Sequence, residues 1–176
     1  MPVAKRKALV AVFTGNGKGK TTAALGILLR SWGRYFKLVM LSFIKSETSN
    51  YGEERAARKL GIEMIPLGGG FTWLSKDLEK DKALARKCWA LCREKIDSGE
   101  YDVVILDEIN VVMKLGYLDP QLVVDFLKTR DPRQHVVLTG RGAPPAIVEA
   151  ADLVSEIMPI KHPYRSGIKA QQGIEF

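Results

Sequence analysis

Four short apolar runs rich in β-branched residues lie along the chain, at 8–13, 38–44, 103–106 and 136–138. They are continuous, not alternating, which suits strands covered on both faces, as in a parallel sheet. Weaker runs occupy 62–66 and 153–158. Helical patterns fall between them. One spans 22–32. A charged one spans 51–60 and ends at Gly61, a plausible glycine just past a helix C-terminus. A long one, from about 76 to 96, places Leu78, Ala85, Cys88, Cys92 and Ile96 on a single stripe and stops at Gly99. Asp119 followed by Pro120 makes a good N-cap and first-turn pair for a helix burying Leu122, Val123, Phe126 and Leu127. Pro144 or Pro145 opens a last helix, running to about Ala151. Alternation of strand and helix implies a three-layer α/β fold around a mostly parallel, doubly wound sheet. With no internal repeat or low-complexity linker, the chain is expected to be one domain over 1–176. Its tail, 159–176, has no clear periodicity and should lie irregularly over the surface.

Composition narrows the setting. Of 176 residues, 46% are apolar, ordinary for a domain with a real core. No apolar run approaches the roughly 20 residues needed to cross a membrane. The basic start, Met1 to Lys7, leads directly into a strand, where a signal peptide would need an apolar core and a cleavage site. A cytoplasmic protein without a membrane partner is expected. Cys88 and Cys92 share a helix face, with no second Cys or His pair beside them, so they fit core thiols better than half a metal site. The net charge of +7 is scattered, with no basic run longer than Lys5-Arg6-Lys7. Such a field suits nucleic acid, or equally a pocket for a polyphosphate and a second anionic substrate.

The chemistry starts after the first strand. Gly15, Asn16, Gly17, Lys18, Gly19, Lys20, Thr21 and Thr22 join that strand to a helix. This is the layout of a loop that wraps nucleotide phosphates. The strict pattern would put its first glycine at position 14, but Thr14 stands there and glycine comes one place later. The physical requirements are still met. Glycines allow positive φ and close approach of backbone N–H groups to phosphate oxygens. Lys20 supplies a point charge, and the Thr21 hydroxyl can ligate Mg²⁺. A nucleoside triphosphate with Mg²⁺ is the expected ligand.

A second buried strand delivers Asp107 and Glu108 at its C-terminal end, where metal-bound phosphate needs carboxylates. If the strand is regular there, the two should point to opposite faces and do different work. A third strand ends in Thr139-Gly140-Arg141-Gly142, from which Arg141 could reach the phosphates. Gly68-Gly69-Gly70 precedes Phe71 and Trp73, a composition suited to a loop closing over a large flat ligand. His135 and His162 show no metal-ligand or general-base pattern. These features admit an ATP-driven nucleic-acid motor, a small-molecule kinase or another nucleotide-dependent transferase.

Taken together and in order, the stretches resemble one family, the phosphate-loop ATP:corrinoid adenosyltransferases. The resemblance rests on the loop from Phe13 to Ala24, Gly70-Phe71-Thr72-Trp73, Val104 to Glu108, and Thr139 to Gly142. It extends into the tail through Val154-Ser155-Glu156, Lys161-His162 and Lys169 to Ile174. The displaced first glycine is a family trait. The resemblance implies a phosphate-loop NTPase (RecA-like) fold and transfer of the 5′-deoxyadenosyl group of ATP to Co(I) of a reduced corrinoid, cobalamin or a relative. Inorganic triphosphate leaves, and the nucleotide lies reversed in the loop. Thr21 and Glu108 are implied as Mg²⁺ ligands, with Asp107 beside them. Lys20 is implied at the leaving group, and residues matching Phe71 and Trp73 pack beneath the corrin ring and displace its lower ligand. A homodimer and an external electron donor, a flavoprotein, are implied too; nucleic acid is not an implied partner. Many family members carry a longer segment before the first strand that helps cover the partner's site; here the strand is expected from about residue 8.

Overall fold

The structure is a computed structural model that describes residues 7–45, 51–68 and 78–175. Strands β1 (Val10–Thr14), β2 (Leu38–Ser42), β3 (Glu63–Pro66), β4 (Val103–Asp107), β5 (His135–Thr139) and β6 (Leu153–Glu156) form one sheet in the order β3-β2-β4-β5-β1-β6. Every neighbouring pair is parallel. The helices are α1 (Lys20–Trp32), α2 (Gly52–Leu60), α3 (Leu78–Asp97), α4 (Ile109–Lys114), α5 (Pro120–Thr129) and α6 (Pro145–Ala150).

Alternate residues of the central strands feed two cores, which is why the runs are continuously apolar. Val10, Val12, Val39, Leu41, Val104, Leu106, Val136 and Leu138 pack against α3, α4, α5 and α6. Ala11, Leu38, Met40, Val103, Ile105 and Val137 pack against Ala24 and Leu28 of α1 and Ala57 of α2. The expected three-layer, doubly wound arrangement is the one formed.

Local signals work as their chemistry suggests. Gly61 sits at φ 69° past α2. Asp119 Oδ1 accepts a 2.9 Å hydrogen bond from the Gln121 N–H at the start of α5. Trp89 of α3 meets Phe126 of α5 edge-on, centroids 5.4 Å apart. Cys88 and Cys92 are buried, and burial pushes the Cys88 thiol up to about 11 and Cys92 well up too. The Cys88 thiol donates to the Leu67 carbonyl at 3.4 Å. These are core thiols.

Four differences from the sequence reading have physical causes. Leu122 is 57% exposed, because α5 turns Val123, Val124 and Leu127 inward instead. Leu78 opens α3 and is exposed, so the buried stripe starts at Ala85 and gains Trp89. β6 ends at Glu156, and all four of its residues are exposed, as an edge strand allows. Helix α4 was not expected: it is six residues long and buries five in succession, too short for a 3.6-residue period to show. The tail has a 3₁₀ turn at Pro163–Ser166, whose first N–H, from Tyr164, is capped by His162 Nδ1. Among the described residues no helix is long and apolar enough to cross a membrane.

Candidate active site

β1, β5 and β4 lie side by side, so their C-terminal ends open onto one edge of the sheet. In open parallel sheets ligands bind at that edge. The connection from β1 to α1 passes through Gly15 at φ 96° and Gly19 at φ 114°, values that favour glycine. A Cβ on Gly15 would lie 2.5 Å from the Ile157 carbonyl oxygen, and one on Gly17 2.7 Å from it. The chain just past β6 therefore presses on the loop. It is tied there by Gly17 N–H donating to Ile157 O at 2.7 Å and Ile157 N–H to Thr14 O at 2.9 Å. Thr14, where the strict pattern has glycine, uses its hydroxyl to accept from the Ala143 N–H at 3.0 Å.

Lys20 is buried, and its ammonium donates to the Gly17 carbonyl at 2.6 Å. Burial lowers its pKa, and so do Arg141 and Lys18, while Glu108 and Asp107 oppose them. The Thr21 hydroxyl donates to Asp107 Oδ1 at 2.9 Å, and the Thr139 hydroxyl donates to the same oxygen at 2.7 Å. Asp107 is 1% exposed, and its Oδ2 is buried with no hydrogen-bond partner. The strand stops there. Glu108 adopts φ 63° and ψ 15°, outside the strand region, and its N–H donates to Thr139 Oγ1 at 2.9 Å. Strand alternation therefore does not separate the two carboxylates, as a regular strand would have done. Both line one cleft of about 730 Å³, with Thr21, Thr22, Lys45, Tyr51 and Arg141. Gly140, at φ 126°, lets the start of α4 and the Glu108 side chain approach closely: a Cβ there would lie 3.1 Å from Asn110 Cβ and Val111 N and 3.2 Å from Glu108 Oε2.

Burial raises the Glu108 pKa, and the Asp107 charge raises it further; Lys20, Arg141 and Lys45 pull it back. A buried carboxylate beside a half-buried one calls for a cation. Asp107 Oδ2 is an unused acceptor, and Thr21 oxygen keeps lone pairs after donating its proton. Among the described residues no three His, Cys, Asp or Glu side chains form a ready-made metal cage. One or two carboxylates and a threonine suit Mg²⁺, which usually completes its shell with water and substrate phosphate. The residues fit that ion.

A second cleft, of about 760 Å³, adjoins the first through Arg141 and Glu175. Asn16 and Lys18 are exposed and line this one, with Arg141, His162, Arg165 and Lys169. The loop thus splits its side chains: Thr21 and Thr22 line the cleft of the carboxylates, Asn16 and Lys18 that of the tail, and Lys20 folds back on the Gly17 carbonyl. Arg141 is exposed on the rim common to both. His135 is structural, its Nδ1 accepting from the Leu9 N–H at 3.1 Å. Phe71 and Trp73 lie outside the described residues. The segment leading to them is anchored at Gly68, whose N–H donates to Lys45 O at 2.9 Å.

The sequence reading gave no role to Thr139, Lys45, Tyr51, Glu53, Ile157 or Glu175. Thr139 was within reach: Leu106 pairs with Leu138, so the next residues, Asp107 and Thr139, stand level at the sheet edge. Lys45 bonds Glu53 Oε1 at 2.6 Å and lies 4.8 Å from the Tyr51 ring centroid, a cluster no local pattern announces.

The sequence model of the family ATP:corrinoid adenosyltransferase BtuR/CobO/CobP matches residues 6–176. A corrinoid adenosyltransferase of Sinorhizobium sp is 43% identical over 97% of this chain and 81% of its own length. One from Pseudomonas aeruginosa is 40% identical over 97% of this chain and 84% of its own. One from Escherichia coli strain K12 is 39% identical over 97% and 86%. Among solved structures, that of the RadB recombinase superposes with a TM-score of 0.50 at 15% identity, covering 89% of this chain and 77% of that one. At that identity the likeness concerns the fold, a phosphate-loop NTPase fold of RecA-like type.

Proposed function

This chain belongs to the ATP:corrinoid adenosyltransferase family, a family of transferases, and we propose from that premise that it moves the 5′-deoxyadenosyl group of ATP to Co(I) of a reduced corrinoid. The cobalt lone pair attacks C5′, the Co–C bond forms and the C5′–O bond breaks. That oxygen leaves with inorganic triphosphate, and cobalt rises formally from Co(I) to Co(III). No proton moves, so the step needs no general base.

The observation that carries the reading is the meeting of the phosphate loop with the carboxylate pair, through the Thr21–Asp107 hydrogen bond. It puts a loop suited to three phosphates beside acceptors suited to a divalent cation. In this reading Gly15, Asn16, Gly17, Lys18, Gly19, Lys20, Thr21 and Thr22 hold the triphosphate. Lys20 faces the oxygen on which charge develops, and transition-state charge met by a preorganised cation is the main source of acceleration. Thr21 and Glu108 hold Mg²⁺, with Asp107 beside them orienting Thr21 through its Oδ1. Bound there, the ion supplies Lewis-acid stabilisation of the leaving triphosphate. Arg141, on the rim of both clefts, binds phosphate or the second substrate's edge.

Phe71 and Trp73 pack under the corrin ring and displace its lower ligand, making Co(II) easier to reduce, since axial ligation sets the potential. The electron comes from outside, from a flavoprotein: the chain has two cysteines, and iron–sulfur clusters take about four. The enzyme works as a cytoplasmic homodimer and does not act on nucleic acid.

One assay decides the reaction. With ATP, Mg²⁺ and chemically reduced cobalamin, the expected products are adenosylcobalamin and intact triphosphate. ADP and phosphate without a cobalt–carbon bond would overturn the reading in favour of phosphoryl transfer.

A further inference from the structure

The phosphate loop carries two lysines in different circumstances. Lys20 is buried against its own loop carbonyl. Lys18 points outward and is ion-paired with the carboxylate of Glu175, near the far end of the chain. Glu175 is the more enclosed partner, its side chain 14% exposed against 42% for Lys18. The placement is built by a turn: the Ile174 and Glu175 N–H groups both donate to the Gln171 carbonyl, at 3.2 and 2.9 Å. Gly173, Ile174 and Glu175 line the cleft that holds Thr21, Asp107 and Glu108. Glu175 also lines the neighbouring cationic cleft with Lys18 and Arg141. The tail thus sets a negative group on a lysine of the phosphate loop, where two clefts meet.

A carboxylate in that position competes with phosphate for the same cation, and like charges on one wall repel. We propose that Glu175 is a gate on the phosphate loop: it competes with polyphosphate for Lys18, and polyphosphate binds by opening the Lys18–Glu175 pair and moving residues 171–175 off the cleft. This rests on the nucleotide reading of the site given above. The affinity for polyphosphate is then lowered by the fraction of molecules with the pair closed. Re-forming the pair also favours departure of triphosphate once the adenosyl group has left. Since both partners are partly exposed, the effect on affinity is modest, roughly twofold to fivefold.

The test is titration calorimetry with inorganic triphosphate and Mg²⁺, at fixed ionic strength, on the wild-type protein, Glu175→Gln and Glu100→Gln. Glu100 is exposed just before β4, at the opposite edge of the sheet, and controls for the general loss of a negative charge. Glu175→Gln is expected to bind triphosphate roughly twofold to fivefold more tightly, with Glu100→Gln like wild type. In wild type, hydrogen exchange at the Ile174 and Glu175 amides is expected to speed up on adding triphosphate. Equal or weaker binding by Glu175→Gln, or unchanged exchange in wild type, overturns the gate while normal ATP binding leaves the nucleotide reading standing. A wild-type protein that binds neither ATP nor triphosphate overturns both.

Discussion

Thr21 and Asp107 meet at 2.9 Å, hydroxyl to carboxylate, and this bond fastens the first turn of α1 to the end of β4. It uses one Asp107 oxygen, already shared with Thr139, and leaves Oδ2 buried and unpaired. The geometry separates a positioning oxygen from a free one.

Asp107→Asn tests that separation. An amide oxygen can accept from both threonines, so the local hydrogen bonds survive while the charge does not. The apo protein should melt within a few degrees of wild type or above it, because the buried charge beside the half-buried Glu108 is gone. The Mg²⁺ concentration giving half-maximal adenosyl transfer should rise about tenfold or more, a loss of about 1.4 kcal/mol. An unchanged Mg²⁺ requirement would remove Asp107 from the metal site.

Lys20→Ala should reduce the turnover number for transfer by about a hundredfold or more, the range seen when a transition-state charge loses its donor. ATP binding should weaken less, since the loop N–H groups remain. Single-turnover transfer to pre-reduced cobalamin, with ATP affinity measured alongside, separates these effects. Near-normal turnover would mean that the ammonium does not face the leaving oxygen.

The sheet was legible because the parallel strands of its centre are short, apolar on both faces and rich in β-branched residues; the six-residue α4, with an equally continuous apolar run, escaped the same reading. The loop was legible because its glycines are local. The arrangement of the carboxylates was not. Alternation assigned Asp107 and Glu108 to opposite faces, but Glu108 leaves the strand at φ 63° and brings its side chain into the cleft with Asp107. A backbone turn at one residue gives no signal in composition or period. The Lys18–Glu175 and Thr14–Ala143 contacts join residues far apart in sequence, and no window along the chain contains them. Phe71 and Trp73 were legible as a motif, and their roles rest on family resemblance.

Glu108 predicts a pH signature. Burial and the Asp107 charge raise its pKa in the folded protein. The folded state therefore favours the protonated form, and above the ordinary carboxylate range the ionised group costs stability. Below that range the residue is neutral in both states and the cost vanishes. Apo Glu108→Gln should thus melt a few degrees above wild type near pH 8, with the gap closing as pH falls through the raised Glu108 pKa. Mg²⁺ stabilisation of wild type should fade over the same range as the carboxylate protonates, and be small in Glu108→Gln at every pH. Thermal melts across pH, with and without Mg²⁺, check both. A variant less stable than wild type at pH 8 would contradict the assigned burial cost.

Thr14→Gly restores the glycine that the strict loop pattern places at this position, and a motif argument alone expects it to be harmless or beneficial. The structure argues otherwise. Thr14 closes β1, and its hydroxyl accepts the Ala143 N–H, tying the loop after β5 to the phosphate loop. The conformational freedom the pattern needs is already supplied one residue later, by Gly15 at φ 96° under the Ile157 carbonyl. Glycine at 14 would remove a hydrogen bond worth about 1 kcal/mol. It would add backbone entropy to a strand end at a further cost of about 0.5–1 kcal/mol. The expected result is a loss of about 1.5–2 kcal/mol in urea unfolding, with no gain in ATP affinity. Thr14→Ser keeps the hydroxyl and should recover most of the loss. Equal stability of Thr14→Gly and wild type would mean that the threonine is tolerated at this position, not used.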